Sequence, residues 1–110
     1  MAKYEKRLIG DFNRVLKTIE EEIVSGSISA SYEDGSDFCK NGVRCSVRVF
    51  ERYSFMGGNR VSLNVTLVGN ENEIFLSAIT SGGSQGMFFK FNTFGEEAFL
   101  ERIKNIVENL

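Results

Sequence analysis

The sequence predicts a single α+β domain over residues 1–110, with an N-terminal helix, an antiparallel meander of four to five strands and a C-terminal helix. Its length of 110 residues is close to the commonest domain size. Apolar residues recur in steps of three and four near both ends, as they do in amphipathic helices. Between the ends they alternate with polar residues, which is typical of half-buried strands. We expect both helices to cover one face of the sheet.

The N-terminal helix is predicted from Lys3 to Ser25, and Gly26 follows where a C-terminal cap is favoured. Its apolar stripe consists of Leu8, Phe12, Val15, Leu16, Ile19 and Ile23. A second stripe, from about Phe94 to Asn109, predicts the C-terminal helix. Thr93, followed three residues later by Glu96, resembles a capping box at its start.

Alternating segments predict four strands, and a polar loop from Glu33 to Gly42 separates the first from the second. The four segments are 28–32, 43–55, 61–67 and 74–78. Pairing Tyr32 with Val43 keeps the first hairpin in register, and a two-residue turn at Asn70-Glu71 places Leu67 opposite Ile74. The middle hairpin keeps its apolar residues on one face only with a three- or five-residue connection. The aromatic segment 87–91 is a candidate fifth strand.

Composition removes several classes of function. The chain has no histidine, which excludes Ser-His-Asp and Cys-His nucleophile pairs and most catalytic zinc sites. Cys39 lies in the predicted loop, and Cys45 alternates with valines and is expected in the core. The two cysteines lack a second pair of ligands, so we predict no metal site. Without histidine, catalysis would need Asp, Glu, Lys, Tyr or Cys39, and because these form no recognisable constellation we also predict no cofactor and no catalytic residue.

Charge and hydropathy restrict the expected partners and the expected cellular location. A net charge of −2 argues against a nucleic-acid binder, which normally carries a basic excess. No apolar run approaches the length of a membrane span, and the charged N-terminus does not resemble a signal peptide. We therefore expect no nucleic-acid partner, no membrane contact and a cytoplasmic location, where both cysteines stay reduced.

The face that the helices leave open is the first candidate for function. In the predicted register Phe50 opposes Thr66, which opposes Phe75, so both phenylalanines lie on the outer face near Val68 and Ile79. Ordinary scatter of apolar residues is the alternative explanation. The leading hypothesis is a non-enzymatic interaction module that forms a homo-oligomer, a dimer, through Phe50, Val68, Phe75 and Ile79. Arg44, Arg48 and Arg52 would share this face, as solubilising charges or as contacts for an anionic partner.

The alternative hypothesis is a small-molecule-binding domain with an apolar pocket between sheet and helices, beside the glycine-rich loop Ser81–Gly86. Backbone N–H groups of such a loop can also meet an anion, so the ligand is either apolar or anionic. The candidate lining residues are Tyr53, Ser81, Gly82, Gly83, Ser84, Gln85, Met87 and Phe88.

The order of elements resembles a known group of proteins. A helix, four strands, the Ser-Gly-Gly-Ser-Gln-Gly loop, an aromatic strand and an acidic-capped helix are similar to short uncharacterised single-domain proteins of low-GC Gram-positive bacteria. This resemblance implies a bacterial cytoplasmic protein. It assigns no site residue, because the function of such families is unknown.

Overall fold

The protein is a two-layer α+β domain in a computed structural model that describes residues 1–26, 29–54, 59–82 and 89–110, with the backbone only at 54, 59 and 89–95. Its elements, in chain order, are β1 (Ala2–Ile9), α1 (Phe12–Ser25), β2 (Ser31–Lys40), β3 (Val43–Ser54), β4 (Asn59–Asn70), β5 (Glu73–Gly82) and α2 (Phe89–Glu108). The five strands form one antiparallel sheet in the order β1-β5-β4-β3-β2. The predicted fold class is confirmed.

The first strand occupies the place where the sequence predicts the start of a helix. β1 pairs with β5, with Tyr4 opposite Ala78 and Leu8 opposite Ile74. Helix α1 begins only after Asp11, whose carboxylate accepts a hydrogen bond of 2.9 Å from the backbone N–H of Arg14. The predicted start at Lys3 is therefore wrong, whereas the apolar stripe from Phe12 onward is buried as predicted.

The second strand replaces the predicted loop from Glu33 to Gly42. Asn41 and Gly42 form a tight turn with positive φ angles of 54° and 81°, and they place Lys40 opposite Val43. An Asn-Gly pair is the preferred sequence for such a hairpin turn. Tyr32 consequently pairs with Phe50, so the predicted pairing of Tyr32 with Val43 is wrong.

The β3–β4 register reverses the predicted orientation of β3. Phe50 lies opposite Leu63, and Ser54 pairs with Asn59, so four residues connect the strands instead of three or five. The predicted pairing of Phe50 with Thr66 is therefore wrong. Even-numbered residues of β3 point toward the helices, and Cys45 and the three valines of this strand lie on the opposite face.

The β4–β5 hairpin keeps its predicted orientation but not its predicted turn. Leu67 pairs with Leu76, and the connecting residues are Glu71 and Asn72, so the predicted turn at Asn70-Glu71 is wrong. The register differs from the predicted one by two residues. Because side chains alternate with a period of two, the shift leaves the apolar residues of both strands on the helix side.

Both helices cover the same face of the sheet, as predicted. The core contains residues of α1, α2 and the inward sides of β3, β4 and β5: Phe12, Val15, Leu16, Ile19, Ile23, Phe50, Val61, Leu63, Val65, Leu67, Ile74, Leu76, Ala78, Phe99, Ile103, Ile106 and Val107. Helix α2 already begins at Phe89. The candidate strand over 87–91 is therefore wrong from Phe89 onward, its first two residues lie outside the described ones, and Thr93 does not mark the helix start.

Candidate functional site

A continuous row of side chains crosses the whole open face of the sheet, which we call the outer face. Following the strand pairing, the row consists of Arg7, Phe75, Val68, Cys45 and Phe38. Four of its five members are apolar or thiol side chains. Phe38 is 65% exposed and Phe75 is 38% exposed, so the described part of the chain covers neither residue completely.

A column of apolar residues along β3 meets this row at Cys45. Its members are Val43, Cys45, Val47 and Val49, all on the outer face. Ile79 on β5 adds a further exposed apolar side chain, in the row that also contains Asn64 and Val49. The row and the β3 column therefore form one connected apolar patch, whereas Ile79 stands apart from it between Lys3 and Asn64. A connected patch of this kind suits an interaction surface.

The sheet is large enough to form a protein interface. Five strands about 4.8 Å apart, each of about ten residues rising about 3.3 Å per residue, cover about 24 by 33 Å. This is about 800 Å², the area that each partner contributes to a specific complex of standard size. The outer face alone thus provides the area that a stable partner needs.

One end of the outer face contains a shallow cleft of about 440 Å³. It lies where β1, β5 and β4 end next to the turn of the last hairpin. Its lining residues are Arg7, Leu8, Ile9, Val68, Asn70, Glu73, Ile74 and Phe75. An apolar floor between an arginine and a glutamate suits an aromatic side chain with charged groups beside it.

Charged residues lie mainly at the two edges of the outer face. Lys3, Glu5 and Arg7 alternate along β1, and Asp34 and Lys40 lie on β2 at the other edge. The central strand β4 places the uncharged residues Ser62, Asn64, Thr66, Val68 and Asn70 on this face, and its one charged outward residue, Arg60, lies near the start of the strand and pairs with Glu51 at 3.2 Å. A polar rim around an uncharged centre is the usual composition of a protein interface.

Three of the four predicted interface residues lie together on the outer face. Val68 and Phe75 are direct neighbours across β4 and β5, and Ile79 lies on β5 four residues beyond Phe75. Phe50 does not join them, because it is completely buried against the helices. Its placement on the outer face is wrong, and the reason is the reversed orientation of β3.

Five apolar or thiol residues of the outer face were missed by the sequence prediction: Phe38, Val43, Cys45, Val47 and Val49. The Asn41-Gly42 pair was the signal that could have found them. A two-residue turn there fixes Lys40 opposite Val43 and therefore Phe38 opposite Cys45. The prediction of Cys45 in the core is wrong for the same reason, and Cys39 is exposed on β2 rather than in a loop.

The inner face carries a buried arginine that binds two acidic side chains. The guanidinium of Arg48 donates to a carboxylate oxygen of Glu20 at 2.9 Å and to both carboxylate oxygens of Asp37 at 2.9 and 3.1 Å. It also donates to the backbone carbonyl of Ser36 at 3.2 Å. This cluster joins α1, β2 and β3, and its charges are engaged within the protein.

The ionisation of this cluster follows from its contacts. Hydrogen bonds from the Ser46 hydroxyl and from Arg48 hold the pKa of Asp37 below its ordinary value. Burial opposes the charged form of Arg48, but hydrogen bonds to Glu20 and Asp37 outweigh it and raise the pKa of the guanidinium. Arg48 and Asp37 therefore stay charged at neutral pH and support the structure.

The other two arginines of β3 also face the helices, so their predicted outward orientation is wrong. Arg44 stacks over the ring of Phe12 at 4.2 Å, and Arg52 lies over the ring of Phe99 at 5.9 Å. Both contacts are cation–π interactions at the margin of the core. They leave the outer face of β3 to its apolar residues.

Only three of the residues predicted to line a ligand pocket can be placed. Tyr53 and Ser81 lie on the outer face by strand parity, and the Ser81 hydroxyl is 3.0 Å from that of Ser62. Gly82 pairs with Val61. The remaining residues, Gly83, Ser84, Gln85, Met87 and Phe88, lie outside the described residues. Because Tyr53 and Ser81 face away from the helices, their assignment to a pocket between sheet and helices is wrong. The rest of the predicted pocket beside Ser81–Gly86, with its apolar or anionic ligand, stays a prediction.

The part of the chain that the structure describes offers neither a metal site nor a membrane-spanning helix. No group of three or more Cys, Asp or Glu residues there could hold a metal ion. No helix among the described residues is long and apolar enough to cross a membrane.

The fold and the site together define a small α+β domain with one sheet face covered by helices and an apolar patch on the other, which the described residues leave open. The chain belongs to a family of unknown function, DUF6054, whose model matches residues 1–110. Comparisons with curated proteins and with solved structures gave no match.

Proposed function

We propose that this protein is a non-enzymatic interaction module that forms a homodimer through its outer sheet face. The observation that carries the proposal is the unbroken row Arg7, Phe75, Val68, Cys45 and Phe38, which spans all five strands. Covering this row with a second copy removes apolar surface from water, and that removal is the main driving force of protein association.

The arrangement of polar groups supports a binding role over a catalytic one. The most elaborate polar cluster among the described residues, around Arg48, is occupied by internal ion pairs with Glu20 and Asp37. The outer face presents apolar side chains at its centre and charges at its edges. A surface of this composition recognises a protein partner by shape and burial.

We also propose a reducing cytoplasm of low-GC Gram-positive bacteria as the setting. By strand parity Cys39 lies on the helix side of β2 and Cys45 lies on the outer face of β3. The two cysteines therefore cannot pair with each other within one chain. Free thiols of this kind are usual in reducing compartments.

The test is the mass of the protein in solution at tens of micromolar, measured by sedimentation equilibrium. The wild type is expected at twice the chain mass of 12.4 kDa. Phe75→Arg introduces a charge at the centre of the proposed interface and should give the monomer mass. Phe75 is already 38% exposed, so the variant is expected to fold.

Val24→Arg is the matched control. Val24 is an exposed apolar residue of similar exposure, 37%, but it lies on helix α1, away from the outer face. This variant should keep the dimer mass. A monomeric wild type, or a dimer that survives Phe75→Arg but not Val24→Arg, would overturn the proposal.

A further inference from the structure

We infer that the two copies pack about a twofold axis parallel to the strands in front of β4, so that Phe38 of each copy enters the cleft of the other. The inference rests on the proposed homodimer and specifies its geometry. The occupant of the cleft is thus a phenylalanine of a second copy of this chain.

The strand order makes this arrangement self-complementary. β4 is the middle strand, with β5 and β1 on one side and β3 and β2 on the other. A twofold axis along β4 exchanges β1 with β2 and β5 with β3. Each row across the sheet then packs against the same row of the partner in reverse order, which is the condition for an isologous interface.

The central apolar row matches itself under this operation. Val68 on β4 meets the partner's Val68, and Cys45 meets the partner's Phe75, a favourable contact between sulfur and an aromatic ring. Phe38 arrives over the edge strand of the partner, where Arg7 and Phe75 line the cleft. An exposed ring on one edge and an open cleft on the other are therefore brought together twice in each dimer.

The charges at the edges of the sheet favour this axis over a twofold axis that runs perpendicular to the strands. In the row Lys3, Ile79, Asn64, Val49 and Asp34, reversal places Lys3 opposite the partner's Asp34. In the row that ends at Lys40, the side chain of Lys40 approaches the partner's edge beside Glu73. Opposite charges therefore face each other at the corner of Lys3 and Asp34, and at the other corner Lys40 lies over the partner's Ile9, one strand away from Glu73.

The alternative twofold axis lies in the same plane but runs perpendicular to the strands. An axis of this kind through the row of Thr66 packs β1 against the partner's β1. Glu5 then faces the partner's Glu5, and Lys3 faces the partner's Arg7, which are like-charge contacts. Such contacts at an interface act against the arrangement that creates them.

Sheet geometry permits the preferred arrangement. Two sheets that pack face to face keep their strand directions within about 30° of each other and lie about 10 Å apart. An axis along the strands maps each strand direction onto itself, so this condition is met. Outward residues of β4 then lie close to their own copies along most of the strand, including Arg60, whose charge is balanced by its ion pair with Glu51 at 3.2 Å.

Cross-linking of single cysteines on β4 tests the axis. Asn64, Thr66 and Asn70 are changed one at a time to cysteine in a background carrying Cys39→Ser and Cys45→Ser, and a short bismaleimide is added. The background is first confirmed as a dimer by its mass. All three positions lie on the outer face and are at least partly exposed, so the substitutions leave the core intact.

The expected result is a covalent dimer at all three positions, because an axis along β4 brings each residue near its own copy. Efficient linking at Thr66→Cys alone would indicate the perpendicular axis and overturn the inference, while the proposed homodimer would stand. Absence of linking in a background of dimer mass would overturn it as well. If both the variant carrying Cys39→Ser and Cys45→Ser and the wild type have the monomer mass, the result would instead contradict the proposed function.

Discussion

Phe50 lies directly opposite Leu63 in the β3–β4 ladder, and neither side chain has any exposure to solvent. This single pair fixes the orientation of the whole strand β3. With Phe50 inward, Val43, Cys45, Val47 and Val49 must lie on the outer face. The apolar character of that face, and with it the proposed interface, follows from the position of one phenylalanine ring.

Reversing the charge at one corner of the dimer should weaken it. Lys3→Glu faces the partner's Asp34 with a like charge, twice in each dimer, and we expect the dissociation constant to rise about tenfold. Asp34→Lys should have a similar effect, and the double variant should recover the wild-type affinity. Sedimentation velocity over a range of concentrations gives the three constants. Tighter association of Lys3→Glu, as the perpendicular axis requires, would count against the arrangement.

Removing the buried arginine should cost stability rather than association. Arg48→Met keeps the length of the side chain but leaves Glu20 and Asp37 without their shared cation. We expect a loss of about 2 kcal/mol in the free energy of unfolding, measured by urea denaturation. Arg60→Met is the control, since its ion pair with Glu51 at 3.2 Å is largely exposed. The control should lose less than about 1 kcal/mol. Equal losses would show that the Arg48 cluster stabilises the fold no more than an exposed ion pair does.

The lowered pKa of Asp37 predicts a loss of stability in acid. Because the folded state lowers this pKa, the unfolded chain binds the proton more readily as pH falls through the ordinary value of 3.8. The stabilising contribution is therefore complete at neutral pH and is lost as pH falls through the folded-state pKa. Asp37→Asn removes this contribution and should flatten the decline of the unfolding free energy between about pH 5 and about pH 3.

Ser46→Ala provides an independent check of the same group. The Ser46 hydroxyl donates to Asp37 at 2.5 Å and is the largest cause of the lowered pKa. Its removal should flatten the acid decline in part, while Arg48 still binds the carboxylate. Urea denaturation at each pH measures both variants. A decline as steep as that of the wild type in Asp37→Asn would show that other groups control acid stability.

The sequence predicts correctly those elements in which the apolar residues recur with one clear period. The stripe of α1 from Phe12 to Ile23 and the alternation of β4 and β5 each admit a single interpretation, and the structure bears them out. β1 could not be told from a helix, because Tyr4, Leu8 and Phe12 recur every four residues. That spacing fits one face of a helix and also alternate positions of a strand.

The outer face was harder to predict because β3 is apolar on one side and arginine-rich on the other. Pattern alone assigns valines to the core and arginines to solvent. Here Arg48 can face the helices because Glu20 and Asp37 neutralise it, and both partners are distant in sequence. The valines can then lie on the open face. Only tertiary contacts or the Asn41-Gly42 turn show which side of β3 faces the helices.

Side-chain oxidation measures whether a second copy covers the outer face in solution. Hydroxyl-radical footprinting is carried out from sub-micromolar concentration to tens of micromolar, with the modification of Phe38 and Phe75 measured by mass spectrometry. Tyr32 is the internal reference, because its exposed ring lies on the helix side, packed edge-on against Phe50 at 5.7 Å. Phe38 and Phe75 should become protected as concentration rises, while Tyr32 does not change. Equal oxidation of Phe38 and Phe75 at every concentration would contradict the proposed homodimer.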